Sequence, residues 1–263
     1  MTNGTPTSPI AKPLAGWRIL VPRGGPWGHG VASDLRAVGA TPIVAPLINF
    51  APTEDSAALE SALERLASGD FDWLTVTSAT TVDVLSAHQA VVPVTTRIAA
   101  VGETTAAALT SAGYRVDLVP LEDNSAKGLL SEMKQFEEAG ASLRILTLRS
   151  EIAKPVLSEG LARRGHSVES VVAYRTIGVP VDPSIREEVT AGLIRAILIT
   201  SGSVAEQVQL QLGPIPESTV VACIGPVTAQ DARGYGLRVD LIAAERSAES
   251  LIQALIGAAG AQR

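Results

Sequence analysis

Two similar turns in this sequence place hydroxyl groups next to the predicted start of a helix. Thr77-Ser78 follows one short apolar segment, and Thr200-Ser201 follows another. At a helix N-terminus, unpaired backbone N–H groups and the positive end of the helix dipole favour a carboxylate or a phosphate. Serine and threonine also cap helices without binding any ligand, and capping is the better explanation for a single turn.

Two further turns repeat this arrangement at a fixed distance. Val101-Gly102 comes 24 positions after Thr77, and Ile224-Gly225 comes 24 positions after Thr200. Four such turns around one cleft favour an anionic ligand over mere capping. The candidate binding residues on the turns are Thr77, Ser78, Ala79, Gly102, Glu103, Thr104, Thr200, Ser201, Gly202, Ser203, Gly225, Pro226 and Thr228.

Basic residues follow the first strand of each half. Arg23 lies 16 positions before Gly39, and Arg149, followed by Ser150, lies 16 positions before Gly165. A guanidinium group there can bind a carboxylate through two hydrogen bonds. Lys154 and Lys127 add positive charge, although solubility explains exposed lysines equally well. The glycine-rich stretch from Arg23 to Gly30 lacks the order of a phosphate-binding loop, so we interpret it as a flexible loop before the first helix.

Other reactive side chains are few. Tyr174 ends a predicted strand, where its hydroxyl could donate a proton or its ring could anchor the chain, and the residues alone favour neither. His29, His88 and His166 show no metal-ligand spacing and are predicted to be surface or capping residues. Cys223 lies in an apolar run and is predicted to be a core residue. We therefore predict no metal site.

The spacing of the motifs indicates a duplicated α/β fold. Short apolar strands alternate with helical segments that end near glycine, which predicts parallel sheets. Ligands bind such sheets beyond the carboxyl ends of the strands. Two similar lobes are therefore expected, with a cleft between them. The segments 47–52 and 174–180 are bracketed by proline and are predicted to be extended connectors.

Composition excludes several classes of protein. The net charge is −6 and only 3% of residues are aromatic, which disfavours nucleic-acid and membrane-surface binding. The hydrophobic fraction of 46% indicates a globular chain. No apolar run is long enough to cross a bilayer, and residues 1–15 are predicted to be a flexible tail without a secretion signal. A cytoplasmic location is the expectation.

The motifs, in their order along the chain, resemble the uroporphyrinogen-III synthase family. The resemblance runs from about residue 18 to residue 256. Its pieces are Val21-Pro22-Arg23, Thr77-Ser78 with Val82, Val101-Gly102 with Thr104-Thr105-Ala106, Leu148-Arg149 with Glu151, Val172 to Thr176, Thr200-Ser201 with Ser203-Val204, and Cys223-Ile224-Gly225-Pro226 with Thr228-Ala229. Thr80, Ser150 and Gly202 depart from the common pattern, which puts affinity and catalysis in doubt.

The resemblance implies two flavodoxin-like α/β lobes joined by a two-stranded β ribbon. Lobe 1 would combine residues 1–45 with 181–263, and lobe 2 would hold residues 53–171. The ribbon would be formed by 46–52 and 172–180. The repeat alone suggests a simpler division near residue 141, but the crossing arrangement explains why both connectors are extended.

The resemblance also implies a function. The family cyclises the linear tetrapyrrole hydroxymethylbilane with inversion of its last ring and loss of water, as a lyase without a metal or organic cofactor. Tyr174 matches the tyrosine proposed to assist departure of the terminal hydroxyl, while Ser78, Ser201 and Thr228 match cleft-facing positions. The expected protein is a monomer that receives its substrate from hydroxymethylbilane synthase. The alternatives are a catalytically inactive tetrapyrrole-binding regulatory module and a solute-binding protein for another polyanion.

Overall fold

The computed structural model describes residues 12–137 and 141–261. Ten strands are present in this part of the chain: β1 (Arg18–Val21), β2 (Thr41–Val44), β3 (Ile48–Pro52), β4 (Trp73–Val76), β5 (Arg97–Ala100), β6 (Arg144–Ser150), β7 (Ser167–Gly178), β8 (Ala196–Ile199), β9 (Val220–Cys223) and β10 (Leu241–Ile242).

Helices separate most of these strands. The α-helices are α1 (Gly25–Ala37), α2 (Ser56–Ala67), α3 (Ala79–Ala87), α4 (Glu103–Ser111), α5 (Ala126–Glu132), α6 (Val156–Arg163), α7 (Pro183–Thr190), α8 (Gly202–Leu212), α9 (Pro226–Gly234) and α10 (Ala248–Ala261). A 3-10 turn at Met133–Phe136 follows α5. No helix in the described ranges is long and apolar enough to span a bilayer.

The chain divides into two compact units, Met1–Asn49 with Gly178–Arg263, and Phe50–Ile177. Unit 1 contains a sheet in the order β10-β9-β8-β1-β2, and every neighbouring pair is parallel. Taken in chain order within the unit, this is the doubly wound 2-1-3-4-5 arrangement of flavodoxin-like folds. The predicted α/β class is confirmed, whereas the predicted domain limits and ribbon stay predictions.

Unit 2 repeats this topology with its chain order permuted. Its sheet runs β3-β7-β6-β4-β5, and β7, β6, β4 and β5 are joined by parallel pairing. An isolated parallel bridge from Ala99 to Leu118 stands where β10 pairs with β9 in unit 1. The strands β6, β7, β4 and β5 therefore correspond to β1, β2, β8 and β9, and β3 is added at the edge.

The repeat extends to individual hydrogen bonds. The carboxylate of Asp117 accepts from the backbone N–H of Ile98 at 2.8 Å, and Asp240 accepts from the N–H of Val221 at 2.8 Å. Ion pairs hold both aspartates, from Arg115 at 2.9 Å and from Arg238 at 2.6 Å. The two halves therefore use the same side chains to fix equivalent strands, β5 in unit 2 and β9 in unit 1.

Apolar residues cover both faces of each sheet. Along β8, Ala196 and Leu198 belong to one buried cluster, and Ile197 and Ile199 belong to another. This alternation follows from the two-residue period of a strand. Burial on both faces is typical of parallel sheets flanked by helices. It leaves the polar loops at the strand ends as the places where a ligand can be bound.

Three expectations about local structure are wrong. The predicted tail lies outside the described residues up to position 11, but Leu14 is fully buried and its N–H donates to the Val38 carbonyl at 3.1 Å. The predicted loop after Arg23 is instead the start of α1, which begins at Gly25 and has proline in its first turn. His166 is 7% exposed and is not a surface residue, whereas His29 and His88 are exposed.

Candidate functional site

The two Thr-Ser turns begin helices α3 and α8. Ser78 accepts a hydrogen bond from the N–H of Thr81 at 3.2 Å, and Ser201 accepts from the N–H of Val204 at 3.3 Å. Both serines therefore cap their helices, as the capping interpretation requires. Each cap satisfies one of the N–H groups that a helix leaves unpaired in its first turn.

The two glycine turns leave their helix ends open. Gly102 precedes α4 and Gly225 precedes α9, and neither turn has a side chain that caps the helix. Their first-turn N–H groups therefore lack a side-chain acceptor. Such open ends attract anions through their unpaired N–H groups. At α4 the carboxylate of Glu103 lies in the first turn and offsets part of the positive charge, whereas the first turn of α9 contains no acidic residue.

Tyr174 and Ser78 meet in unit 2. The Tyr174 hydroxyl lies 3.0 Å from Ser78 Oγ, and either oxygen can donate. Ser78 Oγ also lies 3.1 Å from Thr81 Oγ1, which makes a chain of three hydroxyl groups at the N-terminus of α3. Tyr174 is 7% exposed, so this chain is largely shielded from water. Low exposure strengthens such hydrogen bonds.

The backbone of Tyr174 is fixed by strand pairing. Ser150 of β6 is its register partner, across an irregularity between Arg149 and Ser150. The N–H of Glu151 donates to the Tyr174 carbonyl at 3.0 Å. Tyr174 lies within β7, which continues to Gly178, so the prediction that a strand ends at this residue is wrong. A local irregularity of this kind changes the direction of nearby side chains.

An apolar cavity of about 370 Å³ borders the Tyr174 ring. Phe50 of β3 packs edge-on against this ring, with the ring centroids 5.3 Å apart. Thr80 and Asp83 from α3 also line the cavity. One side of the tyrosine thus faces an apolar space, and its hydroxyl faces the polar end of a helix.

Arg149 is engaged in local hydrogen bonds. Its guanidinium donates to Ser170 Oγ at 3.0 Å, to the Ser150 carbonyl at 3.0 Å and to the Glu151 carbonyl at 3.1 Å. These bonds shape the loop after β6. The prediction that Arg149 binds a ligand stays untested.

The remaining basic candidates are exposed. Arg23 lies after β1, and its guanidinium stacks 5.2 Å from the centroid of the Trp27 ring. Lys154 lies in the loop before α6. Ser150 is nearly buried, and its hydroxyl has no hydrogen-bond partner within the described ranges. The ligand-binding roles predicted for the three residues also stay predictions.

The α8 turn of unit 1 differs from the α3 turn of unit 2. A Cβ atom on Gly202 would lie 2.8 Å from Asp231 Oδ2, so an internal carboxylate already faces the start of α8. Thr200 is 7% exposed, and its hydroxyl finds no partner among the residues that are described. The two similar turns therefore present different charges to a ligand.

Sequence reasoning missed several residues around these turns. Phe50 and Thr81 contact the Tyr174–Ser78 pair, Asp231 faces Gly202, and Asn124 and Arg246 pack on Gly102 and Gly225. Asn124 lies 22 positions after Gly102 and Arg246 lies 21 positions after Gly225, so the repeat spacing does not align these two residues. The other contacts join segments far apart in sequence and left no local pattern.

Cys223 and Glu137 are two of the groups whose acidity is altered by the fold. Burial raises the pKa of the Cys223 thiol to about 11, against an opposing effect of Arg233. Burial would also raise the pKa of the Glu137 carboxyl, but hydrogen bonds from His166 and Arg164 outweigh it and hold this pKa below its ordinary value. Cys223 is fully buried, which confirms it as a core residue, and its raised pKa keeps the thiol protonated at neutral pH.

Within the described residues, no group of three or more His, Cys, Asp or Glu side chains is arranged to bind a metal ion. The site elements that are present are helix N-termini, hydroxyl groups, a tyrosine and arginines. Such a set can bind carboxylates and transfer a proton.

Comparisons with known proteins agree with this set. A family model described as uroporphyrinogen-III synthase HemD matches residues 30–253. A uroporphyrinogen-III synthase from Synechococcus elongatus is 28% identical over 260 residues, covering 93% of this chain and 96% of that protein.

A porphyrin biosynthesis protein HemD from Ruminiclostridium josui is 27% identical over 259 residues. The match covers 95% of this chain, which spans 50% of the length of that relative. Among solved structures, a mutant uroporphyrinogen III synthase from Thermus thermophilus has a TM-score of 0.63 at 19% identity, and the match covers 94% of this chain and 100% of that one. At that identity the structural match supports the fold alone.

Proposed function

This chain belongs to the uroporphyrinogen-III synthase family, and on that premise we propose that it cyclises hydroxymethylbilane to uroporphyrinogen III. The reaction breaks the bond between the terminal carbon and its hydroxyl, releases that hydroxyl as water, and closes the macrocycle with the last ring inverted. A proton donor and a polyanion-binding surface are what the protein has to supply.

The observation that carries the proposal is the hydrogen bond between Tyr174 and Ser78. If Ser78 donates to the phenol oxygen, the proton of Tyr174 is free for the departing hydroxyl of the substrate. A hydrogen bond to that oxygen also stabilises the phenolate that forms when the proton leaves. The positive end of α3, which begins at Ala79, adds to this stabilisation.

Carboxylate binding is the second role we assign. The side chains of the proposed substrate are carboxylates, and the first turns of α4 and α9 lack a side-chain cap. We propose that Gly102, Glu103 and Thr104 bind through backbone amides in unit 2, and that Gly225 to Thr228 do so in unit 1. The expected monomeric state and substrate transfer from hydroxymethylbilane synthase stay predictions.

Analysis of product isomers tests the proposal. Fresh hydroxymethylbilane is incubated with the protein, the product is oxidised, and the porphyrin isomers are separated by chromatography. We expect the type III isomer, whereas a reaction without protein gives the type I isomer by spontaneous closure. Type I alone in the presence of folded protein would contradict the proposal, and tight product binding without turnover would favour the regulatory module.

A further inference from the structure

Arg246 packs on the open turn of unit 1. It lies in the loop between β10 and α10, and its Cγ is 4.0 Å from the position that a Cβ atom on Gly225 would occupy. The aliphatic part of the side chain therefore covers the glycine. The charged end of such a side chain extends into solvent beyond the apolar contact.

The guanidinium group of Arg246 has no partner among residues 12–137 and 141–261. Neither a hydrogen bond nor an ion pair is found for it, although the carboxylates Glu245 and Glu249 are close in sequence. By contrast, Arg238 of the same unit is held by Asp240 at 2.6 Å. The charge of Arg246 is therefore available to a ligand.

A second polar group at the same turn is open to a ligand. Thr228, in the first turn of α9, is 6% exposed, and its hydroxyl makes no hydrogen bond within the described part of the chain. Pro226 has no N–H, so the donors at this end are the amides of Val227 and Thr228 and the Thr228 hydroxyl. An acceptor from outside the chain would satisfy these donors.

The α8 turn of unit 1 is less suited to bind an anion. The carboxylate of Asp231 lies against Gly202 at the start of α8. A substrate carboxylate placed there would meet a like charge, which is unfavourable at short range. The α8 turn is therefore less suited to a substrate carboxylate than the α9 turn, whose first turn contains no acidic residue.

We infer that Arg246 binds a carboxylate of the substrate, together with the N-terminal amides and Thr228 hydroxyl of α9. The inference deepens the proposed function and rests on it, because it takes the substrate to be a polycarboxylate. An arginine can donate two parallel hydrogen bonds to one carboxylate, which fixes orientation as well as charge. Arg246 is a substrate-positioning residue in this scheme, and it takes no part in proton transfer.

The corresponding turn in unit 2 lacks this charge. Asn124 lies against Gly102 there, with its Oδ1 3.2 Å from the position of a Cβ atom on that glycine. An amide binds a carboxylate more weakly than a guanidinium does. The two open turns should therefore contribute unequally to substrate affinity, and the α9 turn should contribute more.

The test compares Arg246→Gln with Arg36→Gln. Arg36 is an exposed arginine in the last turn of α1, at the opposite end of unit 1, and its guanidinium has no partner among the described residues. We expect Arg246→Gln to raise KM for hydroxymethylbilane about tenfold with kcat within about twofold of the wild type. Arg36→Gln should leave both constants unchanged, and Arg246→Lys should restore part of the affinity.

Ionic strength provides a readout that a purely structural role would not change. KM of the wild type should rise more steeply with sodium chloride than KM of Arg246→Gln, because one screened charge pair is missing in the variant. Equal KM values for Arg246→Gln and Arg36→Gln, with type III product from both, would overturn this inference and leave the proposed function intact. Absence of type III product from the wild type would overturn both.

Discussion

Tyr174 can act as an acid only if the oxygen it leaves behind is stabilised. The hydroxyl chain from Thr81 through Ser78 to Tyr174 supplies that stabilisation from one end of α3. Phe50 and the paired backbone of Ser150 hold the ring in place. The tyrosine thus has both a structural anchor and a polar contact, while its role as a proton donor stays a prediction.

Replacing Tyr174 with phenylalanine removes the proton donor and keeps the ring. We expect kcat for type III product to fall by about ten- to a thousandfold, with little change in unfolding free energy. Ser78→Ala should lower kcat by a smaller factor, and the double variant should lose less than the product of the two effects because both residues act through one bond. Stopped assays measure kcat for the wild type, the two single variants and the double variant. If the loss in the double variant equals the product of the two single losses, the two residues act independently and this account is contradicted.

The thiol of Cys223 gives a pH-dependent prediction at the residue scale. Its pKa is about 11 in the folded protein, against an ordinary value of 9.0, so folding favours the protonated form. This contribution to stability is complete below the ordinary pKa and is lost as pH rises toward the folded one, by roughly 2 to 3 kcal/mol in total.

The Cys223→Ala variant provides the comparison for that effect. Urea unfolding of both proteins, at steps from about one pH unit below the ordinary thiol pKa up to the folded one, should give a steeper decline in unfolding free energy for the wild type. The slopes are compared rather than the absolute stabilities, since the smaller side chain also leaves a cavity. If the unfolding free energies of the two proteins fall in parallel as pH rises, the thiol has the same pKa in the folded and unfolded states, and the prediction is wrong.

At the scale of elements, helix α1 depends on one close approach. A Cβ atom on Gly28 would lie 2.0 Å from the Arg23 carbonyl oxygen, so the helix can start here only with glycine at this position. Gly30, two residues later, has no atom within 4 Å of its Cβ position. Within this glycine-rich stretch, the fold therefore requires glycine at position 28 but not at position 30.

Alanine at these two glycines should have opposite effects. We expect Gly28→Ala to lower the unfolding free energy by roughly 1 to 3 kcal/mol through overpacking. Gly30→Ala should raise it by about 0.5 to 1 kcal/mol, because alanine loses less backbone entropy in a helix. Urea titrations monitored by circular dichroism measure both, and a loss of stability in Gly30→Ala would contradict this account.

At the scale of the whole molecule, the repeat predicts equal contributions from equivalent residues. Asp117 and Asp240 each accept from a strand amide at the same distance of 2.8 Å. Asp117→Ala and Asp240→Ala should each cost roughly 1 to 3 kcal/mol, since each leaves a shielded N–H without its acceptor. Hydrogen exchange should accelerate at the Ile98 amide in Asp117→Ala and at the Val221 amide in Asp240→Ala. Acceleration in only one of the two variants would refute the equivalence.

The motif spacing predicted much of the fold from the sequence. The short apolar segments before Thr77 and Thr200 are the strands Trp73–Val76 and Ala196–Ile199, and Ser78 and Ser201 are the N-caps of the helices that follow. The start of α1 was missed because glycine usually disfavours helix interiors, and a tertiary contact at Gly28 overrides that tendency. The burial of Leu14 and His166 was also missed because tertiary contacts, which leave no local pattern in the sequence, cause it.

The contacts within the candidate site were less predictable. Tyr174 and Ser78 are 96 residues apart, and Gly202 and Asp231 meet only because α8 and α9 are neighbours in the folded unit. A single sequence records which residues are present but not which distant side chains touch. The resemblance placed Tyr174 and Ser78 in the site, and the structure supplied the bond between them.

The short distance between Gly202 and Asp231 has an evolutionary consequence. A side chain at position 202 would meet the Asp231 carboxylate, which would have to move aside, so changes at the two positions are coupled. Descendants of this protein that acquire a larger residue at 202 should first, or at the same time, have shortened residue 231. The loss of that carboxylate would remove the negative charge from the start of α8, which Ser201 caps. On the proposed function, this change would alter the orientation in which a polyacid is bound without any substitution at Tyr174.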